Sequence, residues 1–172
     1  RRDYFLVHQQ SPDVGLYISK PFMPITKSDY HSIAMSRRLA DANGRFEGVV
    51  AGTLSLRYFR HLFEASILGD HGSLTLIRTD GIILMRRPFK PGDIGRSLAD
   101  GKAYPLMTRA DHGTFVRRSS MDNKDRLFSF KRIGRYPMII AVGLSVQDIY
   151  AGWRKRAIAI GAKEFMCVGA EP

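Results

Sequence analysis

The sequence predicts an α+β protein made of antiparallel sheets with helices laid over them. Three observations carry this reading. Short extended runs alternate with turn signals of Gly, Asn, Asp and Pro, as in meandering strands. Four short segments, at 3–9, 57–67, 102–109 and from Ser145 onward, carry helical spacing or a helix-start signal. A stretch beginning at Gly44 recurs, without a gap, 90 residues later.

The elements follow in chain order. Residues 3–9 read as a short helix, and Ser11-Pro12-Asp13 as a turn. A strand is expected over 14–20, then a loop bracketed by Pro21 and Pro24. Residues 31–39 and 46–56 form a hairpin around Asp41-Ala42-Asn43-Gly44. Tyr58, Phe59, Leu62, Phe63 and Ile67 fall at helical spacing, so 57–67 is a helix with those residues as its apolar face. Leu68-Gly69-Asp70-His71-Gly72 breaks it. Strands at 73–79 and 82–87 flank the tight turn Asp80-Gly81. A Gly- and Pro-containing loop covers 88–97, and a short helix 102–109. Three strands follow at 113–120, 126–133 and 136–144, with turns at Asp122-Asn123 and Gly134. Ser145 is a candidate N-cap for a last helix, with Asp148 in its first turn and Arg154-Lys155-Arg156 further on.

Composition removes several classes of function. The chain has 172 residues, 44% hydrophobic and 25% charged, which suffices for a buried core and excludes disorder as the main state. One cysteine excludes an intrachain disulfide framework and a cysteine-rich zinc site. No run approaches about 18 apolar residues, so no segment reads as a membrane span. Arg1-Arg2-Asp3-Tyr4 is not a signal core, and the abrupt start suggests a fragment of a longer protein. The net charge is +11, from 27 Lys and Arg against 16 Asp and Glu. The basic residues are mostly dispersed pairs such as Arg37-Arg38, Arg86-Arg87 and Arg117-Arg118. No RNA-stacking or groove-reading motif accompanies them, so nucleic acid is not expected as a partner. The charge is uneven: residues 1–68 carry +3 and residues 69–172 carry +8.

The repeat organises the chain. Gly44-Arg45-Phe46 matches Gly134-Arg135-Tyr136, Val49-Val50-Ala51 matches Ile139-Ile140-Ala141, and Leu54-Ser55-Leu56 matches Leu144-Ser145-Val146. With small shifts, 31–39 matches 125–133, Gly15-Leu16-Tyr17 matches Gly113-Thr114-Phe115, and the helix around Tyr4 matches that around Tyr104. The shared unit is helix, three strands, exit helix. The second copy also has the Asp80-Gly81 hairpin and the loop after it. It therefore predicts a PAS-like module with a five-stranded antiparallel sheet, one copy complete and one partial. The bare sheet edge of the partial copy needs cover from another chain, a swapped partner or further residues.

The ordered runs Arg2-Asp3-Tyr4-Phe5, Gly15 to Pro21, Ser36-Arg37-Arg38-Leu39 and Gly44 to Val50 resemble bacterial double-Cache (PDC) sensor domains. So do Tyr58-Phe59, Leu68-Gly69 through Gly72-Ser73 with Asp80-Gly81, Tyr136-Pro137-Met138, Val142 to Ser145, and Trp153-Arg154. The resemblance is greatest to the subgroup in membrane-bound diguanylate cyclases and histidine kinases. It implies that 1–56 is the C-terminal part of a membrane-distal module and 57–67 a connecting helix. It makes 68–148 the membrane-proximal module and 149–172 the exit helix and tail. It further implies a periplasmic, non-catalytic ligand sensor, held to the inner membrane by segments outside this chain, homodimeric, and coupled through its last helix to a cytoplasmic output domain. Two departures stand out: the family's long N-terminal helix and first distal hairpin are missing, and Lys163-Glu164 interrupts the apolar tail. The alternative is a structural or dimerisation module without ligand.

Chemistry-bearing constellations are sparse. His8, His31, His61, His71 and His112 lack metal-site spacing, and no cofactor or metal is expected. Cys167 lies in the tail, and no Gly-x-Ser-x-Gly elbow is present. Gly69-Asp70-His71-Gly72 lacks the lysine of a nucleotide loop. The candidate ligand contacts are Tyr4, Tyr17 and Arg37 (with Tyr30) in the first copy, and Arg86, Tyr104, Phe115, Arg117 and Phe128 in the second. An arginine fork suits a small carboxylate ligand. The competing reading makes the aromatics core and the arginines solvated. The resemblance favours the distal copy as the binding module.

Overall fold

The computed structural model describes residues 2–25 and 30–151. The chain runs α1 (Asp3–Gln10), β1 (Tyr17–Ile18), β2 (Ser32–Ala40), β3 (Phe46–Ser55) and α2 (Leu56–Glu64). It continues β4 (Ser73–Arg78), β5 (Ile83–Arg87), a 3-10 turn (Pro91–Asp93), α3 (Tyr104–Thr108), β6 (His112–Arg118), β7 (Asp125–Arg132) and β8 (Met138–Ser145). Helix resumes over 146–151, the start of the exit helix. Arg154-Lys155-Arg156, Cys167 and the rest of the expected tail lie outside the described residues.

All strand pairs are antiparallel, in a three-stranded sheet β1-β2-β3 and a five-stranded sheet β5-β4-β8-β7-β6. The repeat is visible in this topology, since β2-β3-α2 matches β7-β8-exit helix. Both inter-strand turns contain a glycine in the left-handed region, Gly44 at φ +78° and Gly134 at φ +49°. In the first turn Asp41 Oδ1 accepts from the amides of Asn43 (2.9 Å) and Arg45 (2.8 Å). The copies differ at one edge. β8 pairs with β4 on its far side, whereas β3 has no further strand among the described residues.

Two elements are shorter than expected. The strand over 14–20 shrinks to Tyr17–Ile18. Gly15 turns the chain at φ +66°, Ser19 Oγ takes the Ala34 amide (2.8 Å), and Asp3 Oδ2 takes the Lys20 amide (2.9 Å). Beyond Ile18 the backbone pairing continues only through the Ser19 amide on Ala34 O (2.9 Å) and the Phe22–Ser32 bridge, and side chains take the Ala34 and Lys20 amides. α2 stops at Glu64 because Arg87 donates to the carbonyls of Phe63 and Ser66, closing the helix end. Its apolar face also differs from the expected one. Leu56 and Phe63 are buried, while Tyr58, Leu62 and Ile67 are exposed.

The same helix joins the two sheets. Ile18, Ile33, Leu56 and Phe63 pack in one cluster with Leu74, Leu76, Leu84 and Met85. The five-stranded sheet is thus covered on this face by α2 and the first strands. Its other face is covered by α3, through Met107 against Ile77, Phe130, Ile139 and Ala141. Cover on both faces explains why every residue of β4 is buried. Arg78 adds a polar tie between the layers. Its Nη1 donates to Ile18 O (2.8 Å) and Tyr17 Oη (3.3 Å), and its guanidinium pairs with Asp80. Among the described residues no helix is long and apolar enough to cross a membrane.

Phe63→Ala should lower unfolding stability by about 3–5 kcal/mol in a urea titration, because it empties the shared core. Tyr58→Ala on the exposed side of the same helix should stay within about 0.5 kcal/mol of wild type. Equal losses would contradict this orientation of α2.

Candidate functional site

Strand alternation and register build a cavity on the α3 side of the five-stranded sheet. Thr75 sits opposite both Arg86 and Ala141, and Phe115 opposite Phe128, so these side chains share one face. The space between that face and the segment 98–103 measures about 490 Å³. Phe115 and Phe128 stack as one wall, with ring centroids 5.4 Å apart and planes at 29°. Ala141 keeps the floor low. The lid is fastened by Tyr104, whose hydroxyl donates to Thr79 O at 2.5 Å.

A cluster of charges lies at and beneath the floor. Arg126, 1% exposed, donates through Nη1 and Nη2 to the two carboxylate oxygens of Asp122 at 2.5 and 2.7 Å. Its Nε donates to His71 O at 3.0 Å. Arg86, 5% exposed, faces Asp122 at 3.5 Å and Asp93 at 3.8 Å, and donates to Thr75 Oγ1 at 3.4 Å. These are long distances for a guanidinium, so its hydrogen-bonding capacity toward the cavity is far from saturated. Burial pushes Arg86 below its ordinary value, and the Asp122 and Asp93 charges oppose that shift. Burial pushes the Asp122 carboxyl up, but hydrogen bonds from Arg126 and Ser119 and the charges of Arg126 and Arg86 outweigh it and hold it at about 2. Lys102 and Arg117 stand exposed at the rim, without an ion pair among the described residues. Arg118 instead pairs with Asp125 at 3.1 Å.

The structure sorts the sequence candidates into three places. Arg86, Phe115, Arg117 and Phe128 line the cavity, and Tyr104 anchors its lid. Tyr4 and Tyr17 lie in the three-stranded layer near buried His8. The Tyr17 hydroxyl donates to Asp3 Oδ2 (3.1 Å), and the Tyr4 ring lies 6.1 Å from that of Phe22. Arg37 sits opposite exposed Val50, one residue past Ser36, and so projects from the other face of that sheet. The grouping of Tyr4, Tyr17 and Arg37 is therefore not brought together, because a single residue changes the face. Sequence reasoning missed Thr75, Asp93, Asp122 and Arg126. Asp122 was visible only as a turn residue, and nothing in the pattern marks Arg126 as buried. No group of side chains among the described residues is placed to hold a metal ion.

Asp122 is the acid whose removal should be felt most. Its folded value of about 2 lies below the ordinary 3.8, so the stabilisation is fully present above about pH 4 and is lost as pH falls toward 2. Asp122→Asn should cost about 3 kcal/mol at pH 7, by leaving Arg126 buried without its carboxylate. It should also flatten the stability profile between pH 4 and pH 2. Wild-type stability in the variant at pH 7 would contradict this.

The sequence model of a family described as histidine kinase sensor domain, dCache_1_like, matches residues 56–143, just over half of the chain. No curated protein sequence matches. Among solved structures, the extracellular domain of rpHK1S-Z16, a protein assigned as a histidine kinase, is similar at TM-score 0.73 and 28% identity, over 88% of this chain and 62% of that one. The periplasmic sensory domain of the Campylobacter jejuni chemoreceptor Tlp1 is similar at TM-score 0.67 and 15% identity, over 80% and 52%. The ligand-binding domain of the Pseudomonas aeruginosa PAO1 amino acid chemoreceptor PctB, in complex with L-Arg, is similar at TM-score 0.65 and 20% identity, over 99% and 66%. The last two likenesses are of fold alone. The chain spans less than two thirds of the length of each of these structures. The first of these structures is an extracellular domain and the second a periplasmic one. Family match, antiparallel α+β architecture and structural likeness agree: the chain belongs to the dCache_1-like histidine kinase sensor domains.

Proposed function

We propose that this chain is the ligand-sensing part of a bacterial inner-membrane signalling protein, and that it binds a small carboxylate in the cavity of the five-stranded sheet. The observation that carries this is the cavity of about 490 Å³ with a buried, incompletely satisfied Arg86 at its floor and Lys102 and Arg117 at its rim. Such a space admits a small metabolite, with the Phe115–Phe128 wall for its apolar part and a guanidinium for its carboxylate. The L-arginine bound by PctB is itself a small carboxylate. A module serving only for dimerisation would fill this space with its own side chains, and the open volume weighs against that reading.

In this account residues 68–148 are a whole membrane-proximal module and 1–56 the C-terminal part of a membrane-distal one, joined by the helix in 57–67. The edge of β3, free among the described residues, supports it, because the equivalent edge of β8 is the one that β4 occupies. Exposed Met35, Leu39 and Val50 on one face of β2-β3 support it too. Residues 149–172 are the exit helix and tail in this reading, with 152–172 outside the described residues, and a homodimer held to the inner membrane by segments outside this chain passes ligand occupancy to a diguanylate cyclase or histidine kinase output.

A melting-shift panel of two- to six-carbon mono- and dicarboxylates and L-amino acids tests the site. At least one compound should raise the wild-type Tm in proportion to the logarithm of its concentration. Arg86→Gln and Arg117→Ala should each weaken that compound at least tenfold, and Arg37→Ala should leave it unchanged. No shift with any compound, or a loss confined to Arg37→Ala, would overturn the proposal.

A further inference from the structure

The cavity floor and the exit helix are joined by an unbroken polar chain. Arg86 faces Asp122 at 3.5 Å, and Asp122 is held by both ends of the Arg126 guanidinium. Arg126 Nε donates to the carbonyl of His71 at 3.0 Å. The His71 amide donates to Asp148 Oδ2 at 3.0 Å, and His71 Nδ1 lies 2.9 Å from Asp148 Oδ1. Asp148 belongs to the first turn of the exit helix. Its carboxyl is held below its ordinary value, first by the His71 side-chain hydrogen bond.

Local geometry makes this chain a clasp. The loop 68–72 wraps the Asp148 carboxylate at Gly69, where φ is +72° and a Cβ would lie 3.3 Å from Oδ2. At Gly72 a Cβ would lie 2.1 Å from Leu68 O, so the loop must turn there without a side chain. At the other end, Arg126 crosses the sheet over Gly143, where a Cβ would lie 2.8 Å from Arg126 Cδ. Arg126 is also the register partner of Ser145, the last residue before the helix. The helix has little apolar anchorage here, since Ile149 and Tyr150 are both exposed.

We propose that occupancy of the cavity at Arg86 is passed to the exit helix through Asp122, Arg126, His71 and Asp148, with His71 as the positioning residue that locks the first helical turn. The inference rests on the reading that the cavity takes a carboxylate. An anion at Arg86 competes with Asp122 for that guanidinium, leaving Asp122 to Arg126 alone. The hold of Arg126 on the His71 loop changes with it. A ligand shifts the helix only through such a difference between two states.

The test needs no ligand. Amide hydrogen exchange is followed in 146–151, with the α2 amides as an internal reference. Arg86→Gln should change exchange in 146–151 at least threefold while α2 keeps its wild-type rates. Asp148→Asn should do the same. The double variant should show no further change, because both substitutions interrupt one chain. His71→Asn, which keeps the backbone amide bond, should give a partial effect. Unchanged 146–151 rates in Arg86→Gln, effects of Arg86→Gln and Asp148→Asn that multiply, or a uniform rise that includes α2 would each overturn the inference. If no carboxylate shifts the Tm but these exchange results hold, the ligand reading fails and the coupling stands.

Discussion

Arg126 is the constraint around which the ligand-facing half of the structure is arranged. A guanidinium 1% exposed needs a carboxylate and further acceptors, because an unpaired charge at that depth costs several kcal/mol. Three separate segments meet that need or give way to it. The β6–β7 turn supplies Asp122, the loop before β4 supplies the His71 carbonyl, and β8 supplies Gly143, whose missing side chain leaves the path open. The turn is itself held in shape by the Asn123 amide on Ser119 O (2.9 Å) and by Asn123 in the left-handed region at φ 57°. One buried cation therefore bonds a turn at the cavity mouth and a loop at the sheet end, and that loop in turn bonds Asp148 at the start of the exit helix.

The rest of the fold supports this arrangement from behind. α2 and the strand residues Ile18 and Ile33 press on the back of β4 and β5, so the sheet is a rigid wall with the cavity on its front. The front carries small residues at Ala141 and Gly143 and large ones at Phe115 and Phe128, which leaves a recess beside the charge cluster. Tyr17 and Tyr104, both attractive as ligand contacts, serve the frame. One ties the first layer to Asp3 and Arg78, and the other pins the lid to Thr79.

Much of the architecture was legible in the residues. Turn glycines at 44, 81 and 134 and the alternation between them placed the long strands to within one or two residues, because those turns require positive φ. The repeat anticipated the shared order of β2-β3-α2 and β7-β8-exit helix. Failures came where side chains compete with the backbone, as at Ser19 and Asp3 beside β1, or where tertiary packing chose a helix face, as at Phe63 over Tyr58 and Leu62. At the site, Arg86, Phe115, Arg117 and Phe128 could be picked by type. Their convergence depends on a strand register that no local pattern reveals, and the same uncertainty of one residue put Arg37 with Tyr4 and Tyr17. The burial of Arg126 and its pairing with half-buried Asp122 were invisible, since a charged pair spanning a turn reads as surface.

The most direct measurement follows arginine side chains by Nε–Hε NMR during titration with the carboxylate that gives the largest melting shift. The account predicts that the Arg86, Arg117 and Arg126 signals move together along one saturation curve, and that Arg37 and Arg38 stay in place. Movement confined to Arg37 and Arg38, with Arg86 and Arg126 unperturbed at saturation, would contradict it.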